Sequence, residues 1–456
     1  MTLTRSCWHV GTLSVALVAV AGCSKLLPKD QVIALEGATL IDGAGGAPKP
    51  DALIIVRNGH IDAIARSNEI PIPRGAERIS LVGKTIIPGL IDAHAHVERW
   101  ATRRYLAWGV TSVRDLHGGT DTVLALRKDV NLGSIIGPRM FSAGAMIDGV
   151  PTTYPNATGI ATADQARRAA DQHAVAGVDY LKIYTKVTPA LLRPLLDEAE
   201  KLRLPVAAHL GKIDALTAAR AGVVSIEHMA GVVQAATGDP SYIAAHDNFL
   251  VGWTTEEKGW AGLDSAAVAR TARALAQTKV TIVPTLVLHE MLARLDNPIL
   301  LMRPGMEDVP DNAQSVRSVP GLLQRTGWRA ADFDAFRRSR RRQDQFVREY
   351  KRAGGAIAAG SDAANQLLIP GYSLHEEMAL LVAAGLTPLE AITAATRRGA
   401  QLLKADSLGM IAQGKVADLV VLNANPASNI GATRNIAMVM IRGRMIRPDS
   451  LRATWK

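Results

Sequence analysis

Cysteine is almost missing from this sequence. Cys7 and Cys23 are its only two, both near the N-terminus, so the body of the chain has neither a disulfide framework nor a cysteine nucleophile. Aromatic residues are also scarce, at 4%. The core must therefore be mostly aliphatic, which suits alternating strands and helices filled with Val, Ile, Leu and Ala. No repeat with a period of about 20–50 residues is visible, and no low-complexity tract. The apolar run from Gly11 to Ala21 is too short to span a bilayer as a helix.

What is present is a chain of 456 residues, 48% of them hydrophobic. That allows a large core and argues against disorder. The length suits a barrel of about 250 residues with a smaller domain beside it. The net charge is +10, a balance met in proteins that bind nucleic acid, anionic membranes or anionic substrates. The densest basic run is Arg337, Arg338, Arg340, Arg341 and Arg342. No aromatic residues are interleaved within it, so it reads as a solvated helical stretch, and no nucleic-acid partner is expected.

The N-terminus reads as an address. Arg5 supplies a positive start, the apolar run follows, and Val20-Ala21-Gly22-Cys23 closes it. That ending resembles the bacterial lipobox. The resemblance implies cleavage before Cys23, acylation of that cysteine and attachment to a membrane through the lipid. Ser24 stands where an aspartate would suggest inner-membrane retention, so the periplasmic face of the outer membrane is the expected location. The simpler alternative is an ordinary secretory signal. Residues 1–23 are then the signal and 24–30 a tether.

From Gln31 to Lys84 short β-branched runs alternate with turns at Asp42-Gly43, Asn58-Gly59 and Gly83. The centre changes to the βα rhythm of a parallel sheet. Eight strands are expected there: Ile86–Val97, Val110–Leu116, Arg139–Ile147, Tyr180–Thr185, Pro205–Leu210, Ser225–Met229, Thr281–Leu286 and Ile357–Ala363. Helices fall between them, at Thr162–Ala176, Thr188–Lys201 and Ile213–Ala221, with Leu374–Ala384 and Pro388–Leu403 after the last. The stretches Gly231–Lys279 and His289–Gly354 would be insertions or lids over the barrel mouth. Strands return at Val416–Leu422 and Ile436–Ile446. The expected fold is an α/β TIM (β/α)8 barrel over residues 86–404, with a small discontinuous β-domain formed by N- and C-terminal strands from residues 31–85 and 405–450.

Functional side chains of such a barrel sit at the C-terminal ends of its strands. The first strand ends in His94-Ala95-His96, whose alternation puts both imidazoles on one side, able to reach one metal. The fourth carries Lys182, the fifth His209, the sixth His228 and the eighth Asp362. Each has an ordinary explanation when taken singly. A His-x-His pair is a weak signal, Lys182 suits a salt bridge, His209 and His228 suit satisfied core histidines, and Asp362 suits a helix cap. Five strand ends in order, all holding ligand-type side chains, are a rare coincidence.

Pro88-Gly89-Leu90-Ile91-Asp92-Ala93-His94-Ala95-His96 resembles the first-strand motif of the amidohydrolase superfamily. Gly109-Val110-Thr111-Ser112-Val113-Arg114-Asp115 and the closing stretch from Gly409 to Leu422 resemble its flanking signatures. The similarity runs from about Ile33 to Arg447 and is nearest the imidazolonepropionase-like and prolidase-like (Xaa-Pro dipeptidase-like) members. It implies two divalent metal ions, with zinc as the default for a histidine-rich site. His94, His96 and Asp362 would hold one, His209 and His228 the other. Lys182, carboxylated by CO2 on its side-chain nitrogen, would bridge both. Imidazolonepropionases proper lack this lysine, which favours the binuclear side. The short gap between His96 and Lys182 departs from prolidase-like members, and it bears on the pocket more than on the ligands.

The implied chemistry is metal-assisted hydrolysis with Asp362 moving the proton. Tyr184, His117 and His289 follow barrel strands and are candidates to touch substrate. The expected reaction is cleavage of an amide C–N bond in a dipeptide or N-acyl amino acid. A lactonase or phosphotriesterase-like activity at the same metals is the enzyme alternative. A catalytically silent barrel used as a binding lipoprotein is the non-enzyme one. Relatives often form homo-oligomers.

Overall fold

The computed structural model describes residues 31–455. The lipobox and its Cys23, the signal segment and all of the tether lie outside them. Two β assemblies and a shell of helices make up the described chain. The first assembly is an eight-stranded sheet that joins both ends of the chain. Val32–Leu40, Lys49–Arg57 and His60–Arg66 form an antiparallel meander. On the other side of Val32–Leu40 come Thr85–Pro88 and then Leu419–Leu422, Ile436–Ile441 and Arg444–Ile446 from the C-terminal part. Its core is aliphatic, with Ile33, Leu35, Ile54, Ile86 and Leu419 all buried.

The expected first barrel strand is divided between the two assemblies. Thr85–Pro88 pairs with Leu419–Leu422 in the sheet, and Leu90–Ala95 enters the barrel. Gly89 is the crossing point. A Cβ there would lie 2.1 Å from Thr111 Oγ1 and 2.7 Å from its methyl, so only a bare backbone passes between the two layers.

The barrel follows the parallel order Leu90–Ala95, Val110–Asp115, Arg139–Ser142 continued by Ile147–Gly149, Leu181–Ile183, Val206–Ala208, Ser225–Glu227, Thr281–Val283 and Ala356–Ile357. It closes where Ala93 N–H donates to Ala359 O at 2.9 Å and Asp362 N–H to His94 O at 2.8 Å. The strands are shorter than the sequence suggests, because the chain leaves the ladder at the mouth. His228, Met229, Thr285 and Asp362 all take positive φ, between 46° and 60°. Non-glycine residues adopt this backbone at a cost, and it re-aims side chains.

Helices alternate with these strands as expected. Ala163–Ala176 starts in a capping box of Thr162 with Gln165, Pro189–Lys201 carries proline in its first turn, and Asp214 caps Ala215–Ala221. The two long stretches expected as insertions are also helical, and they include barrel-wall helices such as Ser265–Gln277 and Ala330–Arg352. A second apolar core lies under the segment after the seventh strand, joining Val287, Leu300, Val316, Phe333 and Phe336. The basic run sits on helix Ala330–Arg352 but is not wholly solvated. Arg337 pairs with Asp296 and Asp334, whereas Arg340 is buried against Glu290, Gln343 and Asp344. Its helical face turns one arginine inward, which composition alone does not reveal.

Candidate metal centre

The strand ends converge on one cavity of about 700 Å³ at the barrel mouth, lined by His94, His96, Lys182, His209, His228 and Asp362 together. His94 and His96 both turn Nε2 toward Asp362 Oδ1, at 3.2 and 2.9 Å. Ligand atoms of His94, His228 and Asp362 all lie within 4.8 Å of one another. The His209 ring stands 4.7 Å from that of His228, centre to centre. Lys182 is 2% exposed, and its Nζ has no hydrogen-bond partner among the described residues.

The hydrogen bonds behind this ring fix its tautomers. His94 Nδ1 lies 2.7 Å from Glu227 Oε2, a carboxylate that Arg114 also grips at 2.9 Å. The proton of His94 therefore sits on Nδ1, and Nε2 keeps its lone pair toward Asp362. The hydroxyl of Thr285 donates to Pro284 O at 2.8 Å, so at 2.7 Å it accepts from His228 Nδ1–H, leaving His228 Nε2 as the free nitrogen. Lone pairs and a carboxylate thus face one another across a buried space. That donor set fits a cation and is poorly suited to anything else.

The protonation states of His209, His228 and Asp362 agree with this. Burial, then the neighbouring His94 for His228 and Lys182 for His209, hold these two rings well below the ordinary imidazole range. Burial alone would raise the Asp362 carboxyl, but the imidazoles of His228, His94 and His96 outweigh it and keep it well below its usual value. Neutral imidazoles at His209 and His228 and an ionised Asp362 are the forms that bind metal, whereas at His96 the lowering by burial is outweighed by the hydrogen bond to Asp362, which raises the imidazole. Burial brings the Lys182 amine down to about 8, against the pull of Glu227. An unpaired buried ammonium is costly, and Lys182 keeps no partner to offset it.

Tyr184 and His117 line the cavity. The Tyr184 ring lies 4.7 Å from that of His209, and the His117 ring 6.3 Å from that of His96. His289, expected beside substrate, does not line the cavity. The seventh strand ends at Val283 and the chain turns into helix Leu286–Leu292, which carries His289 behind the ring. There its Nδ1 lies 2.8 Å from Glu257 and its Nε2 3.1 Å from the backbone carbonyl of His228. It braces the strained backbone of a ring member.

Sequence reasoning missed the supports. Glu227, Arg114 and Asp92 are fully buried. Asp92 accepts from Ser361 N–H at 2.9 Å and from the Ser361 hydroxyl, which fixes the turn that presents Asp362. The available signal was an ionisable residue inside each apolar strand, where an unpaired charge would not be tolerated.

The sequence profile of the amidohydrolase family matches residues 85–446. Among solved structures, a Bifidobacterium longum protein assigned as a prolidase superposes with a TM-score of 0.68 at 26% identity, covering 93% of this chain and 99% of its own. A Xaa-Pro dipeptidase with methionine bound in its active site gives 0.68 at 21%, over 91% of this chain and 100% of its own. The Aspergillus niger ochratoxinase gives 0.68 at 19%, over 92% and 96%. No curated protein sequence matches.

Proposed function

This chain belongs to the amidohydrolase family, hydrolases of carbon–nitrogen bonds, and from that premise we propose that it cleaves the amide of a dipeptide or N-acyl amino acid at a centre holding two divalent metal ions. The observation that carries this reading is the unpartnered Nζ of Lys182, buried among four histidines and Asp362 in one cavity. His94, His96 and Asp362 would hold one ion, His209 and His228 the other, with zinc the first candidate. Lys182 would lie between them as a carbamate. Its neutral amine would attack CO2 and release one proton, leaving an anionic carbamate that offers oxygen donors.

When bound, the metals would supply Lewis-acid polarisation of the substrate carbonyl and acidify water. The chain's own groups do the rest. Asp362, held ionised, accepts the proton of the attacking water and returns it to the leaving nitrogen. Glu227 and Thr285 hold His94 and His228 in the tautomers that face the cavity. Asp92 and Ser361 keep the Asp362 turn in place.

The test is hydrolysis by residues 24–456 supplied with zinc and bicarbonate, on dipeptides, N-acyl amino acids, lactones and a phosphotriester. Asp362-dependent release of an amino acid is the expected result. Turnover of lactones or phosphoesters alone would keep the centre and overturn the amide assignment. Export as a lipoprotein anchored at Cys23 is part of the same proposal, supported by the Val20-Ala21-Gly22-Cys23 pattern. Radiolabelled palmitate should enter the wild type but not Cys23→Ala, and labelling of neither would refute the anchor.

A further inference from the structure

The cavity has a second wall unlike the ring of ligands. Only 4% of the sequence is aromatic, yet several of those residues form one file leading out from the centre. The Tyr184 ring is 4.7 Å from His209 and 5.5 Å from Phe249. Phe249 stacks on Trp253 at 5.6 Å with 12° between planes. Tyr154 stands 5.7 Å from Tyr184 and 6.2 Å from Phe249.

Local structure explains the file. Asn248 caps helix Phe249–Gly262 by accepting from Val251 N–H at 3.2 Å. Phe249 and Trp253 are then one turn apart on the same face. Trp253 is backed by Trp328 at 5.6 Å, whose indole N–H donates to Thr254 Oγ1 at 2.9 Å. The wall is rigid before any ligand arrives.

An ordinary aromatic core would be fully covered. Here Phe249 and Trp253 are only partly buried, and Tyr154 is 38% exposed. All three line the cavity, together with Leu288, Met291 and Leu322. Of the charged groups that line the cavity outside the ring, Asp247 pairs with Lys212, Lys186 donates to the Pro151 carbonyl and Glu98 accepts from Trp100 and Ser315, while Arg325 lines the cavity near Tyr154. The faces offered by Tyr154, Phe249 and Trp253 are apolar and planar. Such faces favour offset or edge-on contact with another ring. The volume, near 700 Å³, falls within the range of about 300–1,000 Å³ that holds ligands larger than a small aliphatic dipeptide.

We propose that the scissile amide carries an aromatic or large planar apolar group, and that this group lies along Tyr154, Phe249 and Trp253. The proposal rests on the amide-hydrolysis reading for its reaction, but the wall itself does not depend on it. The test pairs substrates that differ only in this group: N-benzoylglycine with N-acetylglycine, and N-acetylphenylalanine with N-acetylalanine. The aromatic member of at least one pair should have the higher kcat/KM by about tenfold or more, a difference of about 1.4 kcal/mol. Phe249→Ala and Trp253→Ala should each lower kcat/KM for that member by a larger factor than for the aliphatic one. Equal rates within both pairs, or a uniform loss in the variants, would overturn the proposal. If no amide is turned over, titration calorimetry with the same compounds decides the matter separately. Aromatic-selective binding that Phe249→Ala abolishes upholds the wall while the reaction assignment falls, and unselective or absent binding sinks the wall as well.

Discussion

The two walls of the cavity are built by opposite means. The ring at the barrel mouth comes from strand ends, is almost completely buried, and backs several of its members with a second polar group: Glu227 for His94, Thr285 for His228, Asp92 through Ser361 for Asp362. The aromatic wall comes from a loop and a helix outside the barrel, is partly exposed, and is held by ring-on-ring contact. Proton transfer and cation binding need fixed geometry and few charges out of place, which strands and buried hydrogen bonds provide. Choosing a substrate needs only a surface of the right shape. The two tasks are therefore separable, and substitutions should separate them.

The largest effect belongs to the ring. Asp362→Asn should lower kcat by about 100- to 10,000-fold without altering the preference between aromatic and aliphatic substrates. A changed preference would mean that the walls are coupled. Next come the supports. Glu227→Gln weakens the hold on His94 and should reduce metal affinity by about 10- to 100-fold, read by competition with a chelator. It also strips a buried partner from Arg114, so a fall in Tm is expected alongside. Unchanged affinity would show that His94 needs no orientation. The aromatic wall follows, with the tenfold selectivity change of Phe249→Ala at unaltered metal content.

The smallest effect tests the scaffold between the walls. Glu377, on helix Tyr372–Ala383, is fully buried, and one of its carboxylate oxygens accepts from Val287 N–H at 2.8 Å while the other has no partner. Burial pushes its carboxyl up to about 8. The folded chain thus holds a proton that the unfolded chain loses above the ordinary glutamate range. Its contribution is present at low pH and lost as pH rises from about 4.5 toward 8, by at most about 1.4 kcal/mol per pH unit. Urea unfolding of Glu377→Gln should show a flatter decline over that window. Identical slopes would place the proton elsewhere.

The ring was legible in the sequence because each ligand-type side chain closes an apolar run, and a parallel barrel gives those ends a common meaning. The division at Gly89 was not, because Ile86, Ile87, Leu90 and Ile91 form one apolar stretch and only the contact with Thr111 reveals the crossing. His289 was misplaced for a related reason. Only Pro284-Thr285 separates strand from helix, and reading both as part of a strand Thr281–Leu286 hid the turn that swings His289 behind His228. Glu227 and Arg114 are far apart along the chain and meet only when the barrel closes. The aromatic wall was the least visible, since Phe249 and Trp253 share one helix face while Tyr154 and Tyr184 come from loops far from it along the chain.

The most direct test of the whole account is the metal content of the purified protein and of Lys182→Ala, measured by elemental analysis after equilibration with zinc and bicarbonate. The account predicts two ions per wild-type chain and one or none in the variant, at unchanged circular dichroism. Two ions in both proteins would show that the buried, unpartnered lysine has no part in the centre.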